Sequence, residues 1–320
     1  MRTQLTQDAL EFARVVDIAL RNAGGVDLAR RAEQDGDIAE VERVLEQLGL
    51  WDLCAASDAD DGEVAAAVCR AAGRVALPYP VAERLAADPD AGYDALAVAS
   101  GPARVNLASL TPGLRWAVCD GAGHRAPVTT TGPALGTMLG PLVSEVELGE
   151  WGPGDVRAER LALVLPCWTL LGMMDTTMEA TRRHLLDRHQ FGQPLAAFQA
   201  LQFRMADTAT SYQAYEELAK YTLWSVLTDQ PGAAVDVLSC RLAALETAEE
   251  VFRTGHQMHG AMGFCDEVDL SWLSRHGQAM RRLPWGRSQT RARLLEAMAD
   301  TPFTGLYGDG LLNTAEAVLP

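Results

Sequence analysis

His256 and His259 stand three residues apart, a spacing that puts two imidazoles on one helix face and could seat a metal ion. No third ligand follows at a defined spacing, so no metal is expected. His184 and His189 lie five apart among Arg182, Arg183, Asp187 and Arg188; they do not share a face and read as solvated polar surface. No G-x-G-x-x-G follows a strand, and neither a P-loop nor a G-x-S-x-G is present, so the familiar nucleotide and hydrolase signatures are missing. Two segments are more specific. One runs Arg188-His189-Gln190-Phe191-Gly192-Gln193-Pro194-Leu195 and continues through Phe198-Gln199 and Leu201-Gln202 to Met205-Ala206-Asp207. The other is Gln257-Met258-His259-Gly260-Ala261-Met262-Gly263-Phe264, followed by Glu267 and Arg275.

Together these segments resemble the carboxy-terminal helical domain of the acyl-CoA dehydrogenase family, whose pattern runs R-x-Q-F-G-x-P-x-x-x-F-Q-x-x-Q-x-x-x-A-D and later Q-x-x-G-G-x-G-[FY]. The resemblance is dense over about 157 to 280 and architectural elsewhere. It implies a flavin enzyme with FAD at an interface between two subunits. It also implies that Arg188, Gln190, Phe191, Leu195, Phe198, Gln257, Gly260 and Ala261 reach the diphosphate and adenosine part of an FAD held mainly by the adjoining subunit. A guanidinium neutralises phosphate oxygens, and a glycine lets backbone N–H groups approach closely. One departure lies within the motif itself, where the second glycine is Ala261.

Two further departures concern catalysis. The family reaction removes a proton next to a thioester carbonyl, which needs a carboxylate base. At the spacing of most members that position is Pro284, within Leu283-Pro284-Trp285-Gly286; at the spacing of a minority it is Ala162. Glu159, one helical turn earlier, is the nearest carboxylate and the candidate catalytic residue here. A solvent-facing carboxylate at a helix start is the blander reading of Glu159 and the favoured one, which leaves the base to a partner. The family's middle-domain stretches that hold the flavin ring and the thioester, T-E-P-x-A-G-S-D and W-I-T-N, have no counterpart in this chain.

The elements that must position these residues fall into three groups. Residues 1–91 read as a helical domain, with an amphipathic stripe of Leu10, Phe12, Val15, Val16, Ile18 and Leu20 over Gln7 to Asn22. Shorter helical patterns end at Gly49 and at Gly73. Residues 92–155 carry short β-prone runs separated by Gly, Pro and Asp, the texture of a small, truncated antiparallel β domain. Residues 156–300 read as a four-helix bundle; the stretch 195–230 contains neither Gly nor Pro and would reach about 50 Å as one helix. Residues 301–320 read as an irregular tail. The fold class is mainly α and acyl-CoA dehydrogenase-like.

Composition sets the outer limits. Lys and Arg total 27 against 43 Asp and Glu in 320 residues, a net charge of −16 that disfavours nucleic acid or an anionic membrane surface as partner. No membrane span or signal peptide is read, and six scattered cysteines without a C-x-x-C pair suit buried thiols in a reducing cytoplasm. Interfacial cofactor motifs on a chain without the ring-binding domain resemble the shorter subunit of actinobacterial α2β2 acyl-CoA dehydrogenases that act on steroid side chains. The resemblance thus implies an accessory subunit with FAD as cofactor, a full-length acyl-CoA dehydrogenase chain as partner, a bulky acyl-CoA as substrate and an electron-transfer flavoprotein as acceptor. Two alternatives stand beside it: a self-sufficient homodimeric dehydrogenase using Glu159, and a flavin-free scaffold of the same fold.

Overall fold

A computed structural model describes residues 4–35, 38–101, 103–135 and 142–300; the expected tail lies outside them. The first helix, α1 (Gln7–Asn22), starts where Thr6 accepts a hydrogen bond from the Ala9 N–H at 3.4 Å. It ends before Gly24 and Gly25, whose φ angles of +121° and +58° turn the chain. Only part of the expected stripe is buried: Val16 and Leu20 face the core, whereas Leu10, Val15 and Ile18 are half-exposed. The helices α2 (Val26–Asp35), α3 (Ala39–Glu46), α4 (Ala59–Gly73) and α5 (Val81–Leu85) complete the amino-terminal part.

Gly73 closes α4 for a reason the sequence does not display. A Cβ there would sit 2.0 Å from the Thr169 carbonyl oxygen, and one at Gly172 would sit 1.9 Å from that of Arg70. Two helix backbones therefore cross in direct contact, and each glycine makes room for the other chain segment.

The middle part is a six-stranded sheet formed by β1 (Ala95–Val98), β2 (Arg104–Ala108), β3 (Trp116–Cys119), β4 (His124–Ala134), β5 (Val143–Leu148) and β6 (Gly152–Pro153). Its order is β1-β3-β4-β5-β2, with β6 beside β4. The sheet is mixed rather than wholly antiparallel, because β1 and β3 run parallel. The intervening segment crosses to the far edge as β2, which supplies the long return that a parallel pair requires.

The carboxy-terminal part is built on α6 (Val156–Asp187), followed by a hairpin of β7 (His189–Gln190) and β8 (Gln193–Pro194), then α7 (Gln199–Leu227), α8 (Ala233–His259), α9 (Asp269–Arg282) and α10 (Arg287–Asp300). The long helix expected from 195 starts four residues later, because Pro194 and a short turn over Leu195–Ala197 finish the hairpin first. By length and composition α6 is apolar enough to cross a membrane, a feature missed in the sequence. However, 78% of its most apolar window is buried in the fold, with Leu161, Leu165, Trp168 and Leu171 in the core. Its role is that of the central strut. Arg70 on α4 ties the strut to its neighbours, donating to both oxygens of Asp175 at 2.8 and 3.0 Å, to Glu216 at 2.8 Å and to the Tyr212 hydroxyl at 2.8 Å.

Candidate functional site

The first motif emerges where α6 ends. Asp187 is its last residue, and Arg188 leaves the helix in an extended conformation with its N–H bonded to the His184 carbonyl. The chain then folds back as a two-residue hairpin whose corner is Phe191-Gly192, both with positive φ (+53° and +78°). This is the φ signature of a mirror-image turn that normally calls for Asn or Gly. Phenylalanine in that conformation is strained. Its ring is 91% exposed and meets Phe198 edge-on at 6.2 Å. The Leu195 N–H donates to the Arg188 carbonyl, closing the hairpin against the helix end, and Leu195 and Phe198 are half-buried beneath it.

The second motif ends α8 on the same side of the bundle. Gly260 caps the helix with φ +61° and ψ −138°, a conformation open essentially to glycine, and no atom lies within 4 Å of where its Cβ would be. Gly263 is required for space instead: a Cβ there would press on His259, His256 and Leu270 at 3.1 to 3.3 Å. Gln257, Gly260 and Ala261 are exposed, so the Ala261 methyl, which stands in place of the motif's glycine, points outward rather than into helix packing.

His184 and His259 join the two motifs, their rings stacked with centroids 4.4 Å apart. His184 is therefore half-buried, not the solvated surface group expected from its charged neighbours. Nor do His256 and His259 converge on a common point: His256 stacks on Phe264 at 4.7 Å, and His259 Nδ1 donates to the Gly255 carbonyl at 2.8 Å. Among the described residues no group of three metal-ligating side chains occurs.

What this bundle end offers is a set of donors without acceptors. Arg188, Gln190 and Gln257 are exposed, and among the described residues the Arg188 guanidinium has neither a hydrogen-bond nor an ion-pair partner. Arg188 shares this unpaired, exposed state with Arg14, Arg204, Arg253 and Arg282; what sets it apart is its place at the corner hairpin, with Gln190 in the same turn. The set fits an anionic diphosphate: a planar guanidinium for phosphate oxygens, amides for polar groups, and Phe191 as an apolar plate.

Glu159 stands elsewhere. It lies near the opposite end of α6, about 43 Å from Arg188 at the helical rise per residue. It is 4% exposed, which corrects the expectation of a solvent-facing carboxylate. The start of α6 is roofed by the β3–β4 turn, whose Gly123 N–H donates to Glu159 Oε2 at 3.0 Å, while Oε1 is buried without a partner. Burial raises its pKa, partly offset by that hydrogen bond.

Ala162 and Pro284, the two positions at which the family spacing places a base, line one cavity of about 80 Å³ where the helical parts and the sheet meet. Neither supplies a carboxylate. The acid in that cavity is Glu83 of α5, whose pKa burial pushes up to about 7. Arg241 also lines it, fully buried, with Nη2 donating to the carbonyls of Met280, Leu283 and Trp285. Sequence reasoning missed both residues, since neither sits in a motif and the elements that enclose them are distant in the chain.

Comparison with known proteins agrees with this architecture. Residues 157–298 match the model of the acyl-CoA dehydrogenase C-terminal domain. YngJ of Bacillus subtilis, a probable acyl-CoA dehydrogenase, is 26% identical over 110 residues, which is 34% of this chain and 29% of that protein. The mitochondrial isobutyryl-CoA dehydrogenase of Dictyostelium discoideum is 33% identical over 100 residues, 31% of this chain and 24% of its own. The matched stretch thus spans less than a third of either relative. Among solved structures, a chain of the ChsE4-ChsE5 complex from Mycobacterium tuberculosis superposes with a TM-score of 0.74 at 18% identity, covering 94% of this chain and all of that one. A chain of a steroid ACAD superposes at 0.73 with 18% identity, covering 93% and 99%. The fold is that of the acyl-CoA dehydrogenases, and the carboxy-terminal part of this chain is the stretch that matches the acyl-CoA dehydrogenase C-terminal domain.

Proposed function

We propose that this chain is the shorter subunit of a flavin-dependent acyl-CoA dehydrogenase, which binds a full-length partner chain in an α2β2 assembly and lends it half of an interfacial FAD site. The observation that carries the reading is the unpaired, exposed Arg188 guanidinium at the R-x-Q-F-G hairpin, joined through stacked histidines to Gln257 and Gly260. Bound FAD would supply the hydride acceptor for α,β-dehydrogenation of an acyl-CoA. Arg188 would neutralise its diphosphate, Gln190 and Gln257 would donate to its polar groups, and the Phe191 ring would cover its apolar part and exclude water.

Two features support leaving the ring pocket and the base to the partner. The cavity at Ala162 and Pro284 holds about 80 Å³, against roughly 300 Å³ or more for a typical ligand site. Glu159 is buried beneath a β-turn rather than lining that cavity. This weighs against a self-sufficient enzyme using Glu159, and the preserved donor set weighs against a flavin-free scaffold. A bulky acyl chain, of the steroid side-chain class, is the substrate suggested by the structural likeness to a steroid ACAD.

The test is the flavin spectrum of the protein purified alone and after co-expression with a full-length acyl-CoA dehydrogenase chain encoded beside it. The expected result is a colourless chain alone and a yellow complex, with most of the flavin lost from the Arg188→Ala complex. A yellow protein alone, or full flavin content in the Arg188→Ala complex, would overturn the reading.

A further inference from the structure

In the function proposed above His184 serves only to join the two motifs and is given no chemical role. Its ring lies over that of His259 with 23° between the planes, joining the last turn of α6 to the last turn of α8. His259 is 8% exposed, and because its Nδ1 donates to the Gly255 carbonyl, Nε2 is its remaining basic atom. The charged and titratable groups that face His184 are His259 across the stack and Arg188 and Asp187 at the end of its own helix. Beyond them, His256 faces His259, and Arg281 of α9 faces His256. Burial first, then His259 and Arg188, hold the His184 pKa below the ordinary imidazole value, with Asp187 opposing. In the free protein the His184 ring is thus biased toward its neutral form beside a permanent guanidinium charge. An anion docking on that guanidinium reverses the electrostatic balance, because a nearby negative charge favours the imidazolium.

We propose that His184 takes up a proton when an anionic diphosphate docks at Arg188, so that cofactor retention at this face depends on pH. The proposal rests on the cofactor reading given above. The sign follows from linkage. Below the pKa of free His184 the ring is already charged and affinity does not change with pH. Between the free and the bound pKa, affinity falls by up to about tenfold per unit as pH rises. Above the bound pKa it is constant again and weaker. His184 is a positioning residue with a proton-linked effect.

The experiment uses the complex of this chain with its full-length partner, stripped of flavin and titrated with FAD between about pH 5 and about pH 8, the range of imidazole titration. Wild type, His184→Phe and Arg188→Ala are compared, and calorimetry in buffers of different ionisation enthalpy counts protons taken up by the wild type. Phenylalanine keeps a stacked ring but removes the proton site. The expected result is a wild-type affinity that weakens toward high pH with close to one proton taken up, and a His184→Phe profile that is weak and flat. A wild-type profile without slope, absence of proton uptake, or an unaltered slope in His184→Phe would overturn the proposal. The Arg188→Ala complex separates the two layers. If it binds FAD as the wild type does, the cofactor face itself is misassigned and the proton coupling falls with it. If it binds weakly while His184→Phe keeps the wild-type slope, only the histidine is wrong.

Discussion

Glu83 enters a mostly apolar cavity with no cation paired to it, and burial raises its carboxyl from 4.5 to about 7. A carboxyl whose folded pKa lies above its unfolded value binds its proton more tightly in the native state. Its stabilising contribution is complete below about pH 4.5 and is lost as pH rises to about 7. Replacing it by glutamine is expected to leave stability at about pH 4.5 nearly unchanged and to raise it by about 3 kcal/mol at about pH 8. Urea unfolding at the two pH values would measure this. Glu159, also buried and raised, follows the same sign. At this scale Arg188 and Gln257 could be singled out because each belongs to an ordered motif. Glu159 was misread as exposed because the β-turn that covers it is contributed by another part of the chain. His184 was misread for the same reason, its partner His259 standing on a different helix.

Elements meet most closely where α4 crosses α6. The paired glycines place Thr169 and Arg70 carbonyl oxygens where a methyl would otherwise sit, so no rotamer change relieves a substitution. Gly172→Ala must separate two helix backbones and is expected to cost about 3 kcal/mol or more, the upper part of the usual overpacking range. Gly232→Ala is the control: its Cβ would approach nothing closer than Asp236 Oδ2 at 3.8 Å, and its φ is negative. Denaturant midpoints of the two variants would show the difference. The helices themselves were readable from apolar spacing and stop signals, α1 to the residue. The mixed sheet was not, since strand-like runs carry no record of which strand pairs with which. Nor was the reason for Gly73, because a glycine that ends a helix and a glycine that admits a neighbour look alike in sequence.

The molecule as a whole has a net negative charge and, at one end and along one side of its bundle, large apolar side chains facing outward. Phe191, Phe203 and Phe264 are 60 to 91% exposed. A groove of about 580 Å³ between α6 and α7, lined by Met178, Leu185, Leu201 and Met205, shares α7 with Phe203. Such a surface suits burial against another chain. Phe203→Glu is expected to leave the thermal stability of the isolated chain unchanged and to weaken assembly with the full-length partner about tenfold or more. Light scattering and a binding titration would measure the two effects. An unchanged affinity would place the partner on a different face.

The sequence by itself determined the helix–sheet–helix order, the carboxy-terminal bundle and the two motifs that resemble the family pattern, because apolar periodicity and short ordered patterns are local properties. Only the tertiary structure decided that the two motifs meet at one end of the bundle, that Glu159 is buried far from them, and that the two positions lacking a base face a single small cavity. Those facts depend on which helix ends and turns meet in space, and a side chain's burial, partners and proton affinity are set by neighbours that the linear order does not name.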